Sequence, residues 1–238
     1  MKKITVFSIL TAFLLIGCNS SSGPSSSQNI EDYMPQHAGT WWKYENFTYD
    51  STETTRELTS IDSVVLNSIE KIGDTTFYNF TEHRVDSAEP PLTYSYKVTG
   101  NKAYTSNAIP MLDNFIDASI LLADLTIDEW EALPLDDIEF EIFGFGISGE
   151  YWADGFKDEI TTINVNNKKL DCQKVHFDFR FDGKIEMSTI PLPVPAEIRS
   201  TGRVWLGYKK GIVKTVNEAV VVEAAGIDMN LVNKTESI

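Results

Sequence analysis

From Val175 to Phe181 every second residue is bulky and apolar: Val175, Phe177, Phe179 and Phe181, with His176, Asp178 and Arg180 between them. A strand sends successive side chains to opposite faces, so this stretch reads as a half-buried strand and not a helix. Tyr94, Tyr96 and Val98 alternate in the same way with Ser95 and Lys97, and Ile138, Phe140 and Ile142 alternate with Glu139 and Glu141. Turn signals separate such runs. Ile72-Gly73-Asp74, Gly100-Asn101, Asn166-Asn167 and Asp182-Gly183 each predict a reversal. Arg56–Glu70 and Thr75–Val85 then form one hairpin, Asp158–Val165 and Leu170–Phe181 another, and Lys184–Ile190 continues after Asp182-Gly183. A parity flip at Phe143-Gly144 predicts a glycine bulge. Pro191, Pro193 and Pro195 predict a stiff excursion, and Val213–Glu223 and Asp228–Lys234 are expected to close the sheet.

The region from Ile109 to Asp137 breaks this pattern. Leu112, Phe115, Ile116 and Ile120 fit helical spacing. Thr126-Ile127-Asp128-Glu129 matches a capping box, and Pro134 would end the short helix that follows. The expected fold is mainly β: one strongly curved antiparallel sheet, a half-barrel, with one or two short helices.

The N-terminus carries a different signal. Lys2 and Lys3 precede an apolar run from Ile4 to Ile16, then Gly17 and Cys18. The run has 13 residues, short of the ~20 that a membrane-spanning helix needs. A basic start, an apolar middle and a small-residue end are the marks of an export signal. Leu15-Ile16-Gly17-Cys18 resembles the lipobox of bacterial lipoproteins. That resemblance implies a signal peptide over residues 1–17, cleavage before Cys18 and acylation of Cys18. Asn19, where Asp would imply inner-membrane retention, implies the outer membrane. Residues 18–32 then form the lipidated Cys and a Ser-rich tether, with a mean reach of ~20 Å for a flexible chain. A single β-rich domain is expected from Tyr33 to Ile238.

Removing residues 1–17 leaves 18 basic against 35 acidic residues, a net charge of −17. Nucleic acid is excluded, because binding it needs a basic surface. The acyl anchor is the expected link to the membrane. With Cys18 acylated, Cys172 has no partner in the chain, so a disulfide framework is excluded. Its place in a strand-like run suits a small buried hydrophobe.

Pro35, Gly39, Trp42 and Tyr44 make the pattern Pro-x3-Gly-x2-Trp-x-Tyr, and Gly202-Arg203-Val204-Trp205 is followed by Gly211-Ile212-Val213-Lys214. Both stretches resemble uncharacterised bacterial lipoproteins, in which the second pair forms two strands joined by a turn, here Leu206 to Lys210. Those families have no assigned catalytic residues, so none is carried over. At the level of fold alone, the expected half-barrel is similar to the lipoprotein carriers LolA and LolB.

No stretch carries a catalytic, metal or cofactor pattern. His37, His83 and His176 are scattered, and Gly146-Ile147-Ser148-Gly149 lacks the spacing of a nucleophile elbow. Ten acids and no Lys or Arg lie between Asp113 and Glu141. Calcium takes such oxygens, but the ordered Asp-x-Asp-x-Asp-Gly loop is missing, so a solvated face is expected. The expected role is non-catalytic, with no cofactor. A concave sheet lined by Trp42, Tyr44, Tyr94, Tyr96, Phe177 and Phe179 would bind a lipid or another hydrophobic ligand. The alternative is a surface module in which Trp41, Trp130, Trp152 or Trp205 stacks on polysaccharide or a partner protein. Every one of these aromatics also suits an ordinary core position.

Overall fold

The structure, a computed structural model, describes residues 29–85, 90–105, 119–142, 145–187, 193–224 and 226–238. Cys18, the expected signal peptide, most of the expected tether, Leu112, Phe115, Ile116 and the Phe143-Gly144 step lie outside them. Among the described residues the chain forms fourteen strands: β1 Trp41–Tyr49, β2 Arg56–Ile72, β3 Thr75–Arg84, β4 Leu92–Thr99, β5 Lys102–Thr105, β6 Ile120–Asp124, β7 Glu129–Ile142, β8 Phe145–Val165, β9 Lys168–Met187, β10 Val194–Gly207, β11 Gly211–Asn217, β12 Val220–Ala224, β13 Ile227–Val232 and β14 Thr235–Ser237. The described helical turn is a 3-10 turn at Ile30–Tyr33.

All pairings are antiparallel, and twelve strands follow one another in the order β6-β5-β4-β3-β2-β1-β14-β11-β10-β9-β8-β7. The first six are a meander built from adjacent hairpins. β14 lies between β1 and β11 and joins the two halves of the sheet. β10 is shared: its first half pairs with β12 and its second half with β11. β13 pairs only with β12.

Three of the expected turns form as read. Gly73 (φ 66) links β2 to β3, Gly100 (φ 59) links β4 to β5, and Asn166 and Asn167 (φ 50 and 62) link β8 to β9. At Asn166-Asn167, positive φ at both central residues matches the twist of the flanking strands. β10 and β11 are joined through Tyr208–Lys210, as the motif resemblance implied. Val175, Phe177, Phe179 and Phe181 are buried, while His176, Asp178 and Arg180 face outward.

Several expectations are corrected. No helix follows Thr126, because β7 runs through the expected segment. Asp124 Oδ1 accepts from Thr126 N (3.2 Å) and Thr126 Oγ1 (2.5 Å), an Asx turn in place of a helix cap. Pro134 is tolerated because the β7–β8 register jumps from Leu133 to Asp136, leaving Pro134 without a ladder position to fill. Asp182-Gly183 is not a reversal either. β9 passes straight through, and Gly183 stands opposite Gly149 of β8. A Cβ on Gly149 would lie 2.3 Å from the Asp182 carbonyl oxygen and 2.6 Å from Gly183 Cα. Only paired glycines permit that approach, so the two residues serve a close crossing of the long hairpin. Pro195 sits within β10 opposite Lys184. The stretch 213–223 divides into β11 and β12, and β14, not 228–234, closes the centre of the sheet.

The sheet curls until its edges, β6 and β7, meet, closing further than a half-barrel. Trp130 of β7 bridges them: its Nε1 donates to the Leu121 carbonyl of β6 at 2.8 Å. The indole lies over Gly155, where a Cβ would fall 2.2 Å from Nε1, and meets Phe177 edge-on at 6.3 Å. One end of the curl is plugged by the N-terminal segment. Ile30, Tyr33 and Met34 are buried in the core, although residues 30–32 were expected in the tether. Lys209 N donates to Asp32 O at 2.8 Å, which fastens this plug to the β10–β11 turn. Cys172 is fully buried as expected, and burial pushes its thiol up to about 12.

Candidate functional site

Above the plug the curled sheet encloses a cavity of about 430 Å³, within the range of small-molecule sites. Its floor is aromatic. Tyr44 of β1, Tyr94 and Tyr96 of β4 and Phe177 of β9 line it, with Leu122, Val204 and Ile212. Phe80 packs behind, 5.3 Å from the Tyr94 ring and 5.1 Å from that of Tyr96. Trp42 does not reach this space. It tilts onto Phe80 at 6.2 Å and borders a separate gap of about 10 Å³ beside Pro35 and Lys210, room for at most a water. Phe179 is buried and lines neither space. The structure therefore brings four of the six expected residues to the cavity and leaves Trp42 and Phe179 to packing.

Sequence reasoning missed the polar half of the site. The inward rows of β2 and β3 begin apolar at the plug, with Leu66 and Val64 on β2 and Tyr78 and Phe80 on β3. Towards the other end the same rows become Asp62 and Ser60, and Glu82 and Arg84, all of which line the cavity. Asp62 stands opposite Tyr44 on one side and Arg84 on the other. The legible signal was parity, since an acid two residues from a buried valine points inward as well.

Asp62 is 7% exposed. Its Oδ2 accepts from Asn46 Nδ2 at 2.5 Å, and Asn46 also donates to Ser60 Oγ at 2.9 Å. Ser237 donates to Asn46 Oδ1, so β14 supplies part of this network. Among the described residues Asp62 Oδ1 accepts no hydrogen bond; Arg84 Nε stands 3.8 Å away. Glu82 is held above the usual carboxylate range, first by burial and then by the Asp62 charge, with Arg84 opposing. Burial also raises Tyr44, Tyr94 and Tyr96, and the Glu82 charge adds to all three. Their hydroxyls stay protonated, and that of Tyr44 donates to the Ile212 carbonyl at 2.5 Å.

The exposed-aromatic alternative is thinner. Trp41 is 65% exposed, but Trp130 is buried at the seam. Trp205 donates to Thr161 Oγ1 at 3.1 Å, with the Lys214 and Lys174 ammonium groups 5.2 and 6.0 Å from its ring. Among the described residues no ring contact joins Trp41, Trp130 and Trp205. Among the described residues no group of three or more His, Cys, Asp or Glu is placed to hold a metal ion. Asp124 is buried beside Lys102 at 3.9 Å, while Asp128, Glu129, Glu131, Asp136, Asp137, Glu139 and Glu141 are exposed; Asp113 and Asp117 lie outside the described residues.

No family model and no curated protein sequence matches this chain. Two solved structures are similar to it over most of its length. One is a lipoprotein candidate from Parabacteroides distasonis, with 12% identity and a TM-score of 0.49 over 87% of this chain and 95% of that one. The other is an exported-protein candidate with a YmcC-like fold from Bacteroides fragilis, with 14% identity and a TM-score of 0.45 over 86% and 95% of the two chains. Neither likeness assigns a role to any residue here.

Proposed function

We propose that this chain is a non-catalytic, lipid-anchored protein of the cell envelope that holds a small amphiphilic ligand inside its curled sheet. The observation that carries the reading is the cavity's two-sided chemistry: a tyrosine-lined floor and a mouth of Asp62, Glu82 and Arg84. An apolar group loses water on the floor, while a polar group meets charged partners at the mouth. The purely hydrophobic ligand expected from sequence suits only the floor. The anchor rests on Leu15–Cys18, and Asn19 favours the outer membrane. The plug lies at the Trp41 end of β1 and the polar mouth at its Asn46 end. A tether leaving residue 29 therefore leaves the mouth facing away from the attachment.

The test is to purify the full chain from membranes and record a native mass spectrum and an organic extract. The expected result is a co-purifying amphiphile that is lost in Gly202→Trp, whose side chain would fill the cavity from β10. A chain that carries nothing, and whose melting temperature no amphiphile shifts, refutes the reading.

A further inference from the structure

The charge pattern inside the cavity narrows the class of ligand, given the reading that a ligand is held there. The Asp, Glu and Arg side chains that line it are three acids, Asp62, Glu82 and Glu236, and one base, Arg84; Glu236 is already paired with Arg56 and Lys214, which leaves Asp62 and Glu82. Asp62 is buried, yet its Oδ1 has no hydrogen-bond donor among the described residues. Arg84 Nε at 3.8 Å is beyond hydrogen-bonding range, and its side chain is 52% exposed at the rim. A buried carboxylate oxygen without a donor is a costly arrangement in a resting protein. It is the expected one where a ligand supplies the missing charge.

Three tyrosines line the same cavity. Tyr44 is the direct cross-strand neighbour of Asp62, and Tyr94 and Tyr96 lie 5.7 Å apart on β4. Aromatic faces attract cations, most strongly where water is excluded. An anion would meet three carboxylates and one guanidinium. A neutral ligand would leave Asp62 Oδ1 unmatched and strip water from Glu82 without return. The acids of the other charged clusters have a close cation: Asp158 Oδ2 also lacks a hydrogen bond, but Lys174 Nζ lies 3.0 Å from it. Glu236 is bound by Arg56, Lys214 and Tyr49, and Asp158 by His176 at 2.9 Å and Lys174 at 3.0 Å.

We infer that the cavity is a site for an organic cation, an ammonium or quaternary ammonium group seated among Tyr44, Tyr94 and Tyr96 with Asp62 and Glu82 as its counter-charges. The proposal rests on the ligand-holding reading above and adds the ligand's charge.

Choline and its neutral carbon isostere, 3,3-dimethylbutan-1-ol, test it, with 3,3-dimethylbutanoate as the anion. Each is titrated calorimetrically into the full chain in a sugar-headed detergent. Choline is expected to bind at least about tenfold tighter than the alcohol, with the anion weakest. Asp62→Asn and Glu82→Gln, which keep shape, should each bring the ratio towards one. The comparison on the unaltered chain stands even where a variant fails to fold. Equal or tighter binding of the alcohol or the anion overturns the cation site and leaves the cavity reading in place. So does a co-purified amphiphile without a cation when none of the three probes binds. If no probe binds and nothing co-purifies, both readings fall.

Discussion

Gly155→Ala should loosen the sheet at its seam. The new Cβ would fall 2.2 Å from Trp130 Nε1 and 2.3 Å from Trp130 Cε2, so the indole has to leave its place. Trp130 is 4% exposed, and its ring is the polar link between β7 and β6. Turning half of a buried indole, about 100 Å², into water costs about 2.5 kcal/mol at ~25 cal/mol per Å². Losing the bond to the Leu121 carbonyl adds ~1 kcal/mol, while the lower entropy of an unfolded alanine offsets about 0.5. The net is about 3 kcal/mol, or roughly 9 °C in melting temperature for a domain of this size. Urea titration followed by far-UV circular dichroism measures it without relying on tryptophan emission. A double-mutant cycle gives the decisive reading. If Gly155→Ala acts by evicting Trp130, then adding it to Trp130→Ala should cost almost nothing further. Additive costs, or a Gly155→Ala chain as stable as its parent, would refute the steric argument.

Three further outcomes are expected. Burial opposes the charge on Glu236, yet hydrogen bonds from Lys214, Tyr49 and Arg56 hold it below the usual carboxylate range. A lowered folded value stabilises above the unfolded carboxylate value, and the benefit is lost as pH falls through the folded one. Glu236→Gln should therefore cost about 1–3 kcal/mol at neutral pH, less than a fully buried pair because Arg56 is half exposed, and the deficit should vanish in acid denaturation curves. Calcium should move the melting temperature no more than equal ionic strength of another divalent ion does; a saturable, calcium-specific rise would place a metal site in the acidic 113–141 stretch. Cys18→Ala should incorporate no alkyne fatty acid on metabolic labelling, and persistent label would overturn the lipobox reading.

The β character of the chain was legible wherever one face of a strand meets the core, as from Val175 to Phe181. Two-residue turns with Gly or Asn were legible for the same local reason. The β7 region was not, because a capping-box pattern and Pro134 imitate a helix, while the register jump that excuses the proline belongs to β8. Asp182-Gly183 misled because its glycine is needed for a close neighbour, Gly149, which lies 34 positions away in sequence. The aromatic half of the site followed from alternation on β4 and β9. The acidic half was hidden, since an inward Asp62 is indistinguishable from a solvated one until Tyr44 and Asn46 are placed beside it.

The seam at β14 has a consequence for how the fold is reached. Thr235–Ser237 pairs at once with β1, near the start of the domain, and with β11. Ile238 adds reciprocal backbone bonds to Glu45, at 3.0 and 3.2 Å. These contacts span almost the whole domain in sequence, the kind whose loop-closure entropy slows folding most. The β1–β6 meander can zip locally as it is made, but its free edge at β1 waits for the distant Thr235–Ser237 to arrive. Until then two incomplete sheets present open edges, the state most exposed to mispairing and proteolysis.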